Sequence, residues 1–174
     1  MHSAIVLVPA PLWRSARLPE AAARTLASLV AGVTGEAVCA AILVGPRDAR
    51  LATLADQAGC AYIAIADGAR EEEARGWAEA LRRVRTQRIF AVEAGVAPAR
   101  DYVEELKELA VRPDAAAALR LEPSGLWTRL FADQAPLVGL SAPTATAAAA
   151  PPETWVETAR RLRARAMRAR AFRV

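Results

Sequence analysis

The residues best placed to do chemistry lie in RIFAVEAGVAP, Arg88 to Pro98, where an apolar run stops at one carboxylate, Glu93, before small residues and a proline. In an open α/β sheet, ligands gather beyond the carboxyl ends of the strands. An acid at such an end can hold the Mg²⁺ or Mn²⁺ that neutralises a bound diphosphate. Paired carboxylates are the common device, but the position after next is Gly95, so this strand offers one acid. The expected metal ligand is therefore Glu93, with substrate phosphates completing the shell. Zinc and haem are improbable, because the only histidine is His2 and neither Cys39 nor Cys60 has a ligand companion at metal-binding spacing.

Other candidates sit in the loops after the preceding strands. Pro9-Ala10-Pro11 follows the first strand, with no Gly-x-Gly-x-x-Gly, and the chain holds no Gly-x-x-x-x-Gly-Lys. Those absences exclude a dinucleotide fingerprint and a P-loop. Trp13, in the same loop, is the aromatic with the best claim to stack on a base or sugar. Arg47 and Asp48 follow the second strand and Asp67 the third. Each aspartate can meet a ribose or base edge; equally, Asp48 can cap the next helix and Asp67 can make a turn.

These loops need a scaffold, and the hydrophobic pattern supplies one. Ala4 to Val8, Ala40 to Val44, Ala61 to Ala66 and Ile89 to Val92 read as buried strands. Helices alternate with them. One opens at Pro19-Glu20 and stops at Gly32 and Gly35, and a second runs from about Asp48 to Ala58. The third carries Ala74, Trp77, Ala78, Leu81 and Val84 inward. Its Glu71 to Glu73 and its Arg82, Arg83 and Arg85 match the macrodipole at both ends. A fourth buries Tyr102, Val103, Leu106, Leu109 and Ala110, before a strand at Ala115 to Leu121 and a short helix at Leu126 to Phe131. The expected class is α/β, a doubly wound, mostly parallel sheet in three α/β/α layers.

A domain over residues 1–140 is expected, then an Ala/Pro linker at 141–152 and a basic C-terminal helix at 153–174. Seven arginines against Glu157 give residues 154–174 a charge of +6 and leave the first 153 at −2. The body thus lacks a basic field for specific nucleic-acid binding. The tail could contact a protein partner or an anionic membrane surface. With two cysteines and no signal-peptide pattern, the expected setting is cytoplasmic, peripheral at the inner membrane face if the tail binds lipid.

The strings ARTLASLV (residues 23–30), AILVG, AGCAYIAIAD, ARGWAEALRR and IFAVEAGVAP occur in the order found in family 2 glycosyltransferases of the GT-A fold, which residues 4–121 resemble. The resemblance implies a sugar transfer from a nucleotide-diphosphate sugar. It places Pro9 in the loop after the first strand, Asp48 at a distal aspartate, and Arg75-Gly76 at an Arg-Gly pair opening the third helix. Arg75 or Arg47 would lie near the phosphates, Glu93 near the metal, and Glu122 would be the base that deprotonates the acceptor. Two departures stand out: Glu93-Ala94-Gly95 replaces Asp-x-Asp, and Gly45 replaces a base-reading aspartate. They imply an alternative, a catalytically inactive module that binds or scaffolds through its basic tail. Nucleotidyltransferases of the molybdenum-cofactor kind are a weaker match, resting on Ser15 and Arg17.

Overall fold

A computed structural model describes residues 1–66, 70–122 and 135–172. Its strands are β1 (His2–Leu7), β2 (Val38–Pro46), β3 (Ala61–Ile65), β4 (Arg88–Glu93), β5 (Val96–Pro98), β6 (Ala117–Leu121), β7 (Leu137–Pro143) and β8 (Arg165–Ala171). The helices are α1 (Leu18–Thr34), α2 (Ala49–Gln57), α3 (Arg70–Arg83) and α4 (Tyr102–Ala110), then α5 (Thr144–Ala148) and α6 (Trp155–Arg161). The helix expected at Leu126 to Phe131 lies outside the described residues.

The four apolar runs that end in the candidate loops form one parallel block, β3-β2-β1-β4. Their register aligns the strand ends: Leu7 sits opposite Val44 on one side and Glu93 on the other. Beyond β4 the expected parallel sheet gives way to a mixed one. β7 runs antiparallel to both β4 and β6, β8 parallel to β6, and β5 antiparallel to β8. β5 starts three residues after β4 ends, yet three strands separate them in the sheet order, so the sheet curls back on itself. Helices cover both faces. Side chains of α1, α2 and α4 join one core cluster, and Trp77 of α3, Ala147 of α5 and Trp155 of α6 join the other. The layered expectation holds; the doubly wound, mostly parallel one does not.

Two segments differ from their sequence reading. Residues 141–152 are part of the packed body, not a linker: Ser141 and Ala142 belong to β7, and Ala147 and Ala150 are wholly buried. Alanine-rich composition signals a loose segment only when nothing packs on it. Here small side chains let α5 lie close to α3, where the Trp77 indole N–H donates to the Ala147 carbonyl at 3.2 Å. The basic helix expected over 153–174 is a seven-residue helix followed by a strand, with Arg163 at φ 49 in between. The stretch RAMRARA puts Met167 and Ala169 into the core on a period of two, a strand signature that the many arginines obscure. Its outward arginines are paired within the molecule: Arg165 with Glu108 at 2.8 Å, Arg168 with Asp101 at 3.0 Å, Arg170 with Glu122 at 2.7 Å. Among the described residues, no helix is long and apolar enough to cross a membrane.

Candidate functional site

The aligned ends of β1 to β4 open into a cavity of about 260 Å³. Leu7 to Pro11, Val44, Ile65 and Pro152 give it apolar walls, and Glu73 and Glu93 are its carboxylates. Strand alternation explains why Glu93 faces it. Ile89 and Ala91 pack into the core on the α3 side, so the next residue in that phase, Glu93, emerges on the same side at the strand end. Half-buried there, its carboxyl group is pushed above the usual carboxylate range, first by desolvation and then by the negative charge of Glu73.

The structure thus brings Pro9 and Glu93 together. Trp13 does not line the cavity: its indole N–H donates to the Val8 carbonyl at 2.9 Å and its ring packs against both core clusters. Asp48 caps α2, accepting from the Arg50 backbone N–H at 2.7 Å and pairing with the Arg50 guanidinium at 2.7 Å. That guanidinium holds the Asp48 carboxyl below its ordinary range. Arg47 is exposed just past β2, where its backbone N–H donates to Ile65. Arg75 is exposed and pairs with Glu72 at 2.7 Å. Glu122 pairs with Arg170 and is not part of this cavity. Asp67 lies outside the described residues.

Gly95 and Gly45, read in sequence as lost acids, have conformational reasons to be glycine. Gly95 has φ +94, a region side chains rarely adopt, and a Cβ there would point at Leu12 and Ala21 on the α1 side, away from Glu93. Thr25, wholly buried in α1, holds this turn: its hydroxyl accepts from the Gly95 and Val96 N–H groups at 3.0 and 3.2 Å and donates to the Val96 carbonyl at 2.9 Å. At Gly45 a Cβ would come within 2.8 Å of Val8. A side chain is thus strained by the backbone at Gly95 and crowded by Val8 at Gly45.

Sequence reasoning missed Glu73 and Pro152. Glu73 was explained fully by the helix dipole, and Pro152 was assigned to a linker. The donor set fits a hard divalent cation in kind: two carboxylates in one cavity suit Mg²⁺ or Mn²⁺, which complete their shells with phosphate oxygens and water. Among the described residues no group of three or more His, Cys, Asp or Glu side chains is gathered for a metal.

This curled mixed sheet matches the GT-A-like fold of nucleotide-diphospho-sugar transferases and nucleotidyltransferases. The particular likenesses are distant. A CMP:2-keto-3-deoxy-manno-octonic acid synthetase in complex with CTP superposes with a TM-score of 0.58 at 11% identity, over 97% of this chain and 90% of that one. The 4-diphosphocytidyl-2C-methyl-D-erythritol synthase of Anaerococcus prevotii gives 0.61 at 10%, over 97% and 88%. Glucosyl-3-phosphoglycerate synthase of Mycobacterium tuberculosis, in complex with Mn²⁺, UDP and glucosyl-3-phosphoglycerate, gives 0.56 at 11%, over 96% and 69%. No family model and no curated protein matches the chain.

Proposed function

We propose that this chain binds a nucleotide diphosphate or its sugar conjugate in the Glu93 cavity, together with Mg²⁺ or Mn²⁺, and acts as a nucleotide-sugar-type transferase. The observation that carries the reading is Glu93 itself: a half-buried carboxyl group at the end of β4, in a cavity built from the ends of four parallel strands. The position fits the rule that open α/β sheets bind ligands beyond their carboxyl ends. The fold supports it, since similar structures hold CTP or UDP with Mn²⁺.

Glu93 would hold the cation, which supplies charge neutralisation for a departing diphosphate. Pro9 and Pro11 form a stiff apolar wall against which a base or sugar ring packs and sheds water. Arg47 and Arg75 are the cations proposed to reach the phosphates; Arg75 exchanges its Glu72 partner to do so. The pairing of Glu122 with Arg170, outside the cavity, favours a second reading in which the chain binds the nucleotide without transferring anything.

Thermal-shift measurements with UDP, GDP and CTP, each with and without Mn²⁺, test the first step. A ligand at a hundred times its Kd should stabilise the protein by about 2.7 kcal/mol. Stabilisation should require Mn²⁺ and vanish in Glu93→Ala. Absence of any shift across the panel overturns the binding reading. Mass spectrometry of a nucleotide-sugar incubation separates the two readings, since only a transferase or hydrolase releases the free nucleotide.

A further inference from the structure

We propose that the second carboxylate of the cation site is Glu73, delivered across the cavity by α3 in place of a strand residue beyond Glu93. The inference rests on the reading above that a divalent cation binds at Glu93.

Three observations converge on it. Glu73 and Glu93 line the same cavity from different elements, one on a helix and one at a strand end. The residue two positions after Glu93 offers no carboxylate: it is Gly95, at φ +94, where a Cβ would face Leu12 and Ala21. Finally, α3 is built to come close on the Glu93 side of the sheet. At Gly76 a Cβ would stand 2.5 Å from Ile65 Cγ2 and 2.9 Å from Val44 Cγ1, so only glycine allows this approach. Ile65 and Val44 are themselves cavity walls. Gly76 lies three residues after Glu73, on the same helix face one turn along, so the contact that seats Gly76 on the strand ends also presents Glu73 over the cavity.

The chemistry is consistent. Two carboxylates lining one small space are a donor pair that a divalent cation can bridge. A carboxylate from each of two elements leaves the remaining coordination positions to phosphate oxygens and water, the arrangement Mg²⁺ and Mn²⁺ prefer. Gly76 thereby becomes a positioning residue for the site, which accounts for a glycine in the middle of a regular helix, where it is otherwise costly.

The test is Mn²⁺ binding by electron paramagnetic resonance and calorimetry on the full chain, with Mn²⁺ alone and with Mn²⁺ plus UDP or CTP. Glu73→Gln should weaken Mn²⁺ binding by at least about tenfold, since changes even to outer-shell partners cost about 10–100-fold. With Mn²⁺ alone, Glu72→Gln, which removes the same charge one residue away, should leave binding within about twofold. Melting curves confirm that each variant folds. If Glu73→Gln binds Mn²⁺ as Glu72→Gln does while Glu93→Gln does not bind, the Glu73 assignment falls and the Glu93 reading stands. If the wild-type protein binds no Mn²⁺ under any of these conditions, both fall together.

Discussion

His2 should make this fold acid-sensitive over a defined pH window. The imidazole is wholly buried at the start of β1, where its Nε2 accepts from Arg88 Nε at 3.2 Å. Arg88 is itself buried, with its other guanidinium nitrogens on the carbonyls of Arg112, Pro113 and Ala115 just beyond α4. The His2 Nδ1 is buried without a partner. Desolvation, then the Arg88 charge, then the chain's amino terminus, lower the His2 pKa from 6.5 to about 4. Because the folded value lies below the unfolded one, acid favours the unfolded chain, which takes up the proton first. Stability contributed by the neutral imidazole is intact above pH 6.5 and is lost as pH falls toward 4. At about 1.4 kcal/mol per unit, the full loss is roughly 3 kcal/mol, and about 2 kcal/mol of it has gone by pH 5. Urea unfolding at pH 7, 6 and 5 should show this slope in the wild type. Glu and Asp contribute only background over that range, and the background is shared by His2→Gln, which keeps an acceptor for Arg88 but does not titrate. The quantity to read is the difference between the two proteins: it should shift by about 2 kcal/mol between pH 7 and pH 5 in the direction that disfavours the wild type. Parallel pH profiles for the two proteins would refute the reasoning.

Two further predictions concern residues whose sequence reading the structure changes. Gly95→Asp writes a second acid back into the strand end, but at φ +94 and facing α1 it should cost on the order of 1–3 kcal/mol of stability and leave Mn²⁺ binding no tighter; tighter binding in calorimetry would show that the turn can re-form around an acid. The C-terminal strand should be structural. Met167→Ala is expected to cost about 2–5 kcal/mol in urea unfolding, deletion of residues 163–174 should abolish a cooperative transition, and the intact protein should not sediment with anionic vesicles; a truncated chain that melts like the wild type would restore the picture of a detachable basic tail.

The parallel block was legible because each of its strands is an apolar run, buried on both faces in β1 and β4 and half-buried at the edge in β3. Glu93 was legible for the same reason: it is the first charge after such a run. What escaped were β7, α5, β8 and β5, whose patterns gain meaning only beside their partners. β7 is the short run LVGLSAP that becomes a strand beside β4 and β6, α5 hides in alanines that look like a linker until α3 is set against them, and β8 hides its two-residue period among arginines whose acids lie on or just before α4 and after β6. β5 is three residues long and exists because β8 returns to pair with it.

The reading of Gly95 and Gly45 as losses treated the site as a list of positions along the strands. On this backbone a Cβ at Gly45 would crowd Val8 and a side chain at Gly95 would be strained at φ +94, so each glycine has a structural reason of its own. The relevant acid sits in Glu71-Glu72-Glu73, where the helix dipole already accounted for all three and gave no reason to separate one from the others. Only the close seat of Gly76 on Ile65 and Val44 singles out Glu73, by fixing which face of α3 meets the strand ends. A mid-helix glycine three residues after an acid was the available clue, and its meaning is geometric: it marks where a helix approaches a sheet closely enough for the side chain one turn earlier to reach what the strands present.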